Sequence, residues 1–228
     1  MNRNLKKVSI IIPTRNEPYI NELIRRIHKK LHVKHEIIVV DKSDKPPKVR
    51  GARLIIQRSS GLGKAVIEGL AYAKGDVIVL MDGDGSHRPE DLPKLVEAVK
   101  RYDIVIGSKY VRGGKSEDKW YRVIISKVYC KLAKLILGLG IEDNMSGFSA
   151  IRRKVYEKIK LNPLGFKINT EILYKAKKFG FSSTEVPIVF LKAKKKKRSF
   201  FYEILIRPGL KEALRTLKFI LELRLGLR

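Results

Sequence analysis

Asp76-Val77-Ile78-Val79-Leu80-Met81-Asp82-Gly83-Asp84 decides how this chain is read. Five apolar residues in a row, bounded by acids and glycine, predict a strand buried on both faces, the kind found inside parallel sheets. Two carboxylates one residue apart follow the strand. On an extended backbone, side chains at i and i+2 point the same way. Asp82 and Asp84 are therefore expected to form a hard-oxygen site for Mg²⁺ or Mn²⁺, ions that keep waters and take substrate phosphates as further ligands. A plain turn after a strand is the alternative, since Asp and Gly are turn residues.

Other buried-strand signals flank this stretch: Val8–Ile12 closed by Pro13, Glu36–Val40 closed by Asp41, Arg53–Ile56, and Asp103–Gly107. Between them lie helical periodicities over 17–32, 63–74 and 89–102, the last with Pro89 in its first turn. Strand–helix alternation predicts an α/β fold with a Rossmann-like, mostly parallel sheet flanked by helices. Ligands of such sheets bind beyond the carboxyl ends of the strands. Arg15, Glu17, Asp41, Asp82, Asp84, Ser108 and Lys109 should thus converge. Gly61-Leu62-Gly63-Lys64 fails both the P-loop and the dinucleotide patterns, because Arg58 and Val66 stand where glycines are required. It remains a glycine turn feeding a helix, as a cap or a phosphate contact.

The second half is less regular. Helices are expected over 119–138, with Trp120 in the core, and over 169–179. A loop is expected over Asp143–Phe148 and a strand over 183–191. Six cations then fall within Lys192–Arg198. A C-terminal helix follows, with Leu210, Ala213, Leu214, Leu217, Ile220 and Leu221 on one face and Lys211, Arg215, Lys218 and Glu222 on the other. Either that helix packs on the domain with a solvated charged face, or it lies in a membrane interface.

Composition narrows the classes. Over 228 residues, 50 Lys and Arg against 23 Asp and Glu leave a net charge of +27, a field that favours anionic partners. Apolar residues make up 44%, enough for a core. The lone Cys130 excludes an internal disulfide and a cysteine-rich zinc site. His28 and His32 share a helical spacing suited to a metal, but no third ligand is in view. No signal peptide and no apolar run near membrane-spanning length is visible, which predicts a cytoplasmic chain. Nucleic-acid binding would account for the charge. It leaves the strand-end carboxylates unexplained and lacks an aromatic stacking platform.

Taken in order, the motifs resemble those of the inverting glycosyltransferases of family 2, most closely the branch acting on dolichyl and other polyprenyl phosphates. The segments are Ile11-Ile12-Pro13-Thr14-Arg15-Asn16-Glu17, Glu36–Asp41, Gly61–Ala65, Gly75–Asp84, His87–Leu92, Gly107–Tyr110, Trp120 with Arg122 and Ser126, Asp143–Phe148, and Glu185–Ile188. The resemblance implies a GT-A fold over residues 1–191, followed by a basic segment and amphipathic helix over 192–228. It implies that Pro13, Arg15, Glu17 and Asp41 line the nucleotide pocket, with Gly61 and Lys64 of the glycine turn as further substrate-binding candidates, and that Asp82 and Asp84 hold the metal on the donor diphosphate. Arg122 and Ser146 would lie near the transferred phosphate or acceptor. Lys109 and Arg122 would supply electrostatic stabilisation, and Asp143 a base if the acceptor were a hydroxyl.

The implied reaction moves a hexose, mannose from GDP-mannose foremost and a UDP-sugar otherwise, to a lipid phosphate. It would take place at an anionic membrane surface on the cytoplasmic face, with or without a separate membrane subunit and with no nucleic acid. Four positions depart from the family pattern. Lys42 follows Asp41 in place of a second Asp, Ser86 replaces a Gln, and Lys109 replaces an Arg. Lys192–Ser199 replaces the motif R-x-x-G-x-S-K.

Overall fold

The first strand, β1 (Val8–Thr14), carries the sheet's logic in its side chains. Val8, Ile10 and Ile12 join one apolar cluster and Ile11 joins the other, so alternate residues feed opposite faces. The computed structural model describes residues 5–163, 165–192 and 210–227. In it, β1 lies beside β2 (His35–Asp41) and β4 (Val77–Leu80), parallel to both, and β2 pairs in parallel with β3 (Arg53–Ile56).

The seven-stranded sheet runs β3-β2-β1-β4-β7-β5-β8. Its remaining members are β5 (Ile104–Ser108), β7 (Ser149–Arg152) and β8 (Ser183–Pro187). Only β7 is antiparallel to its neighbours. One face is covered by α1 (Ile20–Lys30) and α3 (Leu92–Ala98). The other is covered by α2 (Leu62–Leu70), α4 (Trp120–Leu137), α5 (Arg153–Lys158), α6 (Ile168–Lys178) and α7 (Leu210–Arg224). On α1, Ile20, Leu23, Ile24 and Ile27 are buried at helical spacing, each contributing about 1.5–3 kcal/mol of apolar burial.

The sheet is mostly parallel, as the strand signals predicted, but three details differ. β7 was not foreseen. It is inserted between β4 and β5, and its Ser149 and Arg152 are buried polar residues that hide any apolar alternation. Those groups are satisfied by Asn169 and by the carbonyls of Val99 and Lys100. The strand expected over 183–191 breaks at Ile188, whose N–H turns to the Ser108 carbonyl. Its end, β9 (Val189–Phe190), pairs instead with β6 (Lys115–Ser116) in a separate two-stranded sheet. Trp120, expected in the core, is 75% exposed.

The C-terminal helix also differs from its expected pattern. Thr216, Phe219, Ile220 and Leu223 face inward against the core, whereas Leu214, Leu217 and Leu221 are exposed. The cations of Lys194–Arg198 lie outside the described residues. His28 pairs with His35 rather than His32, at 2.9 Å between ring nitrogens. No cluster of three metal-ligating side chains occurs among the described residues.

Candidate active site

Strand order reverses where β1 and β4 lie side by side, because the chain leaves β1 for β2 on one flank and returns to β4 on the other. Such a switch point opens a crevice at the carboxyl ends of its strands. A cavity of about 160 Å³ lies there, lined by Pro13 from β1 and by Leu80, Met81 and Asp82 at the end of β4. Leu62 and Val66 of α2, Lys109, Met145, Ser146, Gly147 and Phe190 complete its wall with His87, Ile168 and Asn169.

Asp82 and Asp84 are half-buried, but not as neighbours on an extended strand. β4 ends at Leu80, and the chain turns through Gly83 and through Gly85 at φ 80°. The Asp84 carboxylate accepts hydrogen bonds from the backbone N–H of Ser86 (3.1 Å) and from its hydroxyl (2.6 Å), which closes the turn. Gly83 has no room for a side chain: a Cβ there would sit 2.5 Å from Cγ2 of Thr14. Asp82 is held by its backbone N–H, which donates to Nδ1 of His87 at 3.1 Å. That nitrogen is therefore an acceptor and carries no proton. Burial pushes the imidazole below its usual range, against the opposing pull of Asp82 and Asp84. His87 is thus a neutral prop, stacked on Phe148 and edge-on to Phe190.

Lys109 also lines the cavity. Its ammonium reaches both oxygens of Asp143, at 3.2 and 3.1 Å, and its backbone N–H bonds the same carboxylate. Asp143 is fully buried and does not line the cavity; its own N–H is held by Glu185. It serves as the counter-ion of Lys109, and burial withdraws it from the position a general base would need. Ser146 does line the cavity. Its hydroxyl donates to the Gly107 carbonyl at 2.7 Å and accepts from the N–H of Phe148, so it also locks the loop it sits on.

The other expected residues are placed unevenly. Asp41 is buried behind the pocket. Its carboxylate accepts from the hydroxyls of Thr14 and Ser43 and from the Ser43 N–H. Lys42 reaches the carbonyls of Gln57 and Arg58. Arg15 is exposed, Glu17 is half-buried, and neither lines the cavity. From the glycine turn, Leu62 and Val66 line the wall, while Gly61 and Lys64 are exposed outside it. Arg122 stands in the first turn of α4, 3.7 Å from Asp118, also off the wall.

Phe190 and Asn169 were missed. Asn169 lies on the buried side of α6, where its amide donates to the Ser146 carbonyl at 2.6 Å. Phe190 arrives because β9 closes over the acidic turn: the Leu191 N–H bonds the Ser86 carbonyl, and the ring lies 5.2 Å from the Lys109 ammonium. The sole hint in the sequence was their place within or beside conspicuous segments.

The two carboxylates offer only hard oxygen donors, and one of them faces the cavity. This donor set suits a divalent cation that draws its remaining ligands from water and a diphosphate.

A family model described as Glycosyl transferase family 2 matches residues 9–160. A dolichol-phosphate mannosyltransferase from Pyrococcus furiosus is 45% identical over 202 residues, which cover 81% of this chain and 56% of that protein. The chain therefore spans little more than half the length of that relative. A polyprenol monophosphomannose synthase from Mycolicibacterium smegmatis is 36% identical over 211 residues, covering 82% of this chain and 78% of that one. Among solved structures, glucosyl-3-phosphoglycerate synthase from Mycobacterium tuberculosis in complex with Mg²⁺ and UDP superimposes with a TM-score of 0.70. It shares 19% identity and covers 94% of this chain and 79% of its own. That likeness concerns the fold.

Proposed function

The chain belongs to glycosyltransferase family 2, and on that premise we propose that it transfers mannose from GDP-mannose to a polyprenyl phosphate at a membrane surface. One observation carries the reading: Asp82 and Lys109 line the same small cavity at the switch point of the sheet. A carboxylate and an ion-paired lysine in one crevice suit a metal-bound diphosphate leaving group and an anionic acceptor. The relatives' names support mannose and a polyprenyl carrier.

In this reading Asp82 and Asp84 would hold Mg²⁺ or Mn²⁺, which supplies Lewis-acid neutralisation of the departing diphosphate. Lys109, braced by both oxygens of Asp143, orients the acceptor phosphate and offsets its charge. An acceptor oxygen forms the new bond to the anomeric carbon from the face opposite the departing diphosphate. The bond from that carbon to the diphosphate breaks with its electron pair going to the diphosphate, and the configuration inverts. A phosphate nucleophile is already anionic near neutral pH and needs no general base, which agrees with the buried, ion-paired state of Asp143. Phe190 and Met145 give the cavity part of its apolar lining.

The test is release of nucleoside diphosphate from GDP-mannose and from UDP-glucose, with Mg²⁺ or Mn²⁺, with and without a polyprenyl phosphate. Lipid-dependent turnover with GDP-mannose is expected, falling by at least about 100-fold in Asp84→Ala. Turnover with UDP-glucose alone would replace the donor. Absence of lipid-dependent turnover with both would overturn the reading.

A further inference from the structure

His87 has one ring nitrogen accounted for and one that is not. Nδ1 accepts the backbone N–H of Asp82 at 3.1 Å, so the proton of the neutral ring sits on Nε2. Among the described residues Nε2 meets no hydrogen-bond partner. The side chain is 1% exposed, and it lines the cavity together with Asp82 and Lys109. Nε2 is not one of the fully sealed polar atoms that lack a partner, such as Asn144 Oδ1 and Glu171 Oε2. The unpaired N–H of His87 therefore opens on the cavity.

The ring is clamped, so this N–H keeps one direction. Phe148 stacks on it with centroids 4.9 Å apart and planes 18° from parallel. Phe190 meets it edge-on at 5.4 Å, and the backbones of His87 and Phe190 pair as an isolated antiparallel bridge. A donor fixed in this way needs no reorganisation when a ligand arrives. The other side-chain donors of the lining are largely committed. The Ser146 hydroxyl is given to the Gly107 carbonyl, the Lys109 ammonium to both oxygens of Asp143, and the Asn169 amide to the Ser146 carbonyl. An ionised phosphate presents acceptor oxygens, and a neutral N–H can meet one of them without placing a further positive charge beside a metal ion. Holding Asp82 accounts for Nδ1 alone. A ring with no second task would leave a desolvated donor unpaired, which buried polar groups rarely do.

We propose that His87 is a substrate-binding residue whose Nε2–H donates to a phosphate oxygen in the cavity, from the donor diphosphate or the acceptor phosphate. The proposal rests on the transferase reading above, which supplies both phosphates. It gives one ring two tasks: Nδ1 positions the turn that carries Asp82, and Nε2–H holds the substrate.

NMR of the full chain carrying isotope-labelled histidine tests this on the wild type. The chain has four histidines, and loss of one ring signal in His87→Asn identifies the signal of His87. That ring should be neutral with its proton on Nε2. With Mg²⁺ present, GDP or UDP should move the Nε2 proton downfield if the donor diphosphate is the partner. A water-soluble, short-chain polyprenyl phosphate should move it if the acceptor phosphate is the partner.

Two substitutions then divide the nitrogens. Asn keeps an acceptor near the place of Nδ1 and removes the Nε2 donor, whereas Gln sets an amide donor near the place of Nε2 and removes the acceptor. His87→Asn should keep Mn²⁺ half-saturation, read by electron paramagnetic resonance, within about twofold of wild type and weaken that phosphate ligand by at least about tenfold at saturating Mn²⁺. His87→Gln should recover most of the ligand affinity at saturating Mn²⁺ and bind the metal less well. A proton found on Nδ1, an Nε2 proton unmoved while both ligands are bound, or a folded His87→Asn that binds both ligands as wild type does would each overturn the proposal alone. Failure of the wild type to bind any of these ligands in equilibrium dialysis would overturn the transferase reading, and the proposal with it.

Discussion

Gly147 shows how closely the acidic wall is built. A Cβ at this position would lie 3.0 Å from one Asp82 carboxylate oxygen and 3.1 Å from the other. Gly147→Ala must therefore push that carboxylate, so the metal concentration needed for half-maximal turnover should rise by about tenfold with little change in melting temperature. Gly83→Ala tests the opposite balance. Its Cβ would meet Thr14 of the neighbouring strand, and overpacking should cost about 1–3 kcal/mol in chemical denaturation. Spacing after a buried strand and the company of the other motifs marked Asp82 and Asp84 as candidate ligands, with a plain turn as the alternative; Asp84 does also close a turn through Ser86. The same inspection could not distinguish Asp143 as base from Asp143 as counter-ion. That difference depends on Lys109, 34 positions away, reaching both of its oxygens.

Among the elements, β1, β2, β4 and β5 were legible from their unbroken apolar runs, and α1 from its periodicity. β7 was not, since two of its four residues are polar and their partners are Asn169 and the end of α3. Partners so distant in sequence leave no local trace. Helix α7 was legible as a helix, but its orientation was not. Its apolar residues spread beyond the one face expected from Leu210, Ala213, Leu214, Leu217, Ile220 and Leu221, and packing against α4 buries Phe219, Ile220 and Leu223. Phe219→Ala should therefore cost about 3–5 kcal/mol in urea unfolding, whereas Leu217→Ala, on the exposed stripe, should stay within about 0.5 kcal/mol of wild type.

Across the whole molecule, acid should be the effective denaturant. Asp103 is nearly buried, which by itself would raise its pKa. The Lys154 ammonium at 2.6 Å and the Ser182 N–H and hydroxyl reverse that and hold the carboxyl at about 2. At Glu36 burial likewise acts to raise the carboxyl, and hydrogen bonds from Lys7 and Ser9 overcome it, so that carboxyl is also lowered. A carboxyl more acidic in the folded state than in the unfolded chain adds stability above its unfolded pKa, and that stability is lost as pH falls toward the folded value. Unfolding free energy should thus drop between about pH 4 and pH 2, with roughly 2 kcal/mol traceable to Asp103. Asp103→Asn should flatten that part of the profile. Protonation also adds to a net charge of +27, so self-repulsion acts in the same direction. The sequence by itself determined the α/β class, the strand-end carboxylates and the basic surface, because apolar runs and residue chemistry are local properties. Only the tertiary structure decided which groups share the cavity, which carboxylate is sealed behind Lys109 and which apolar stripes stay outside, because each depends on partners brought together across the sheet.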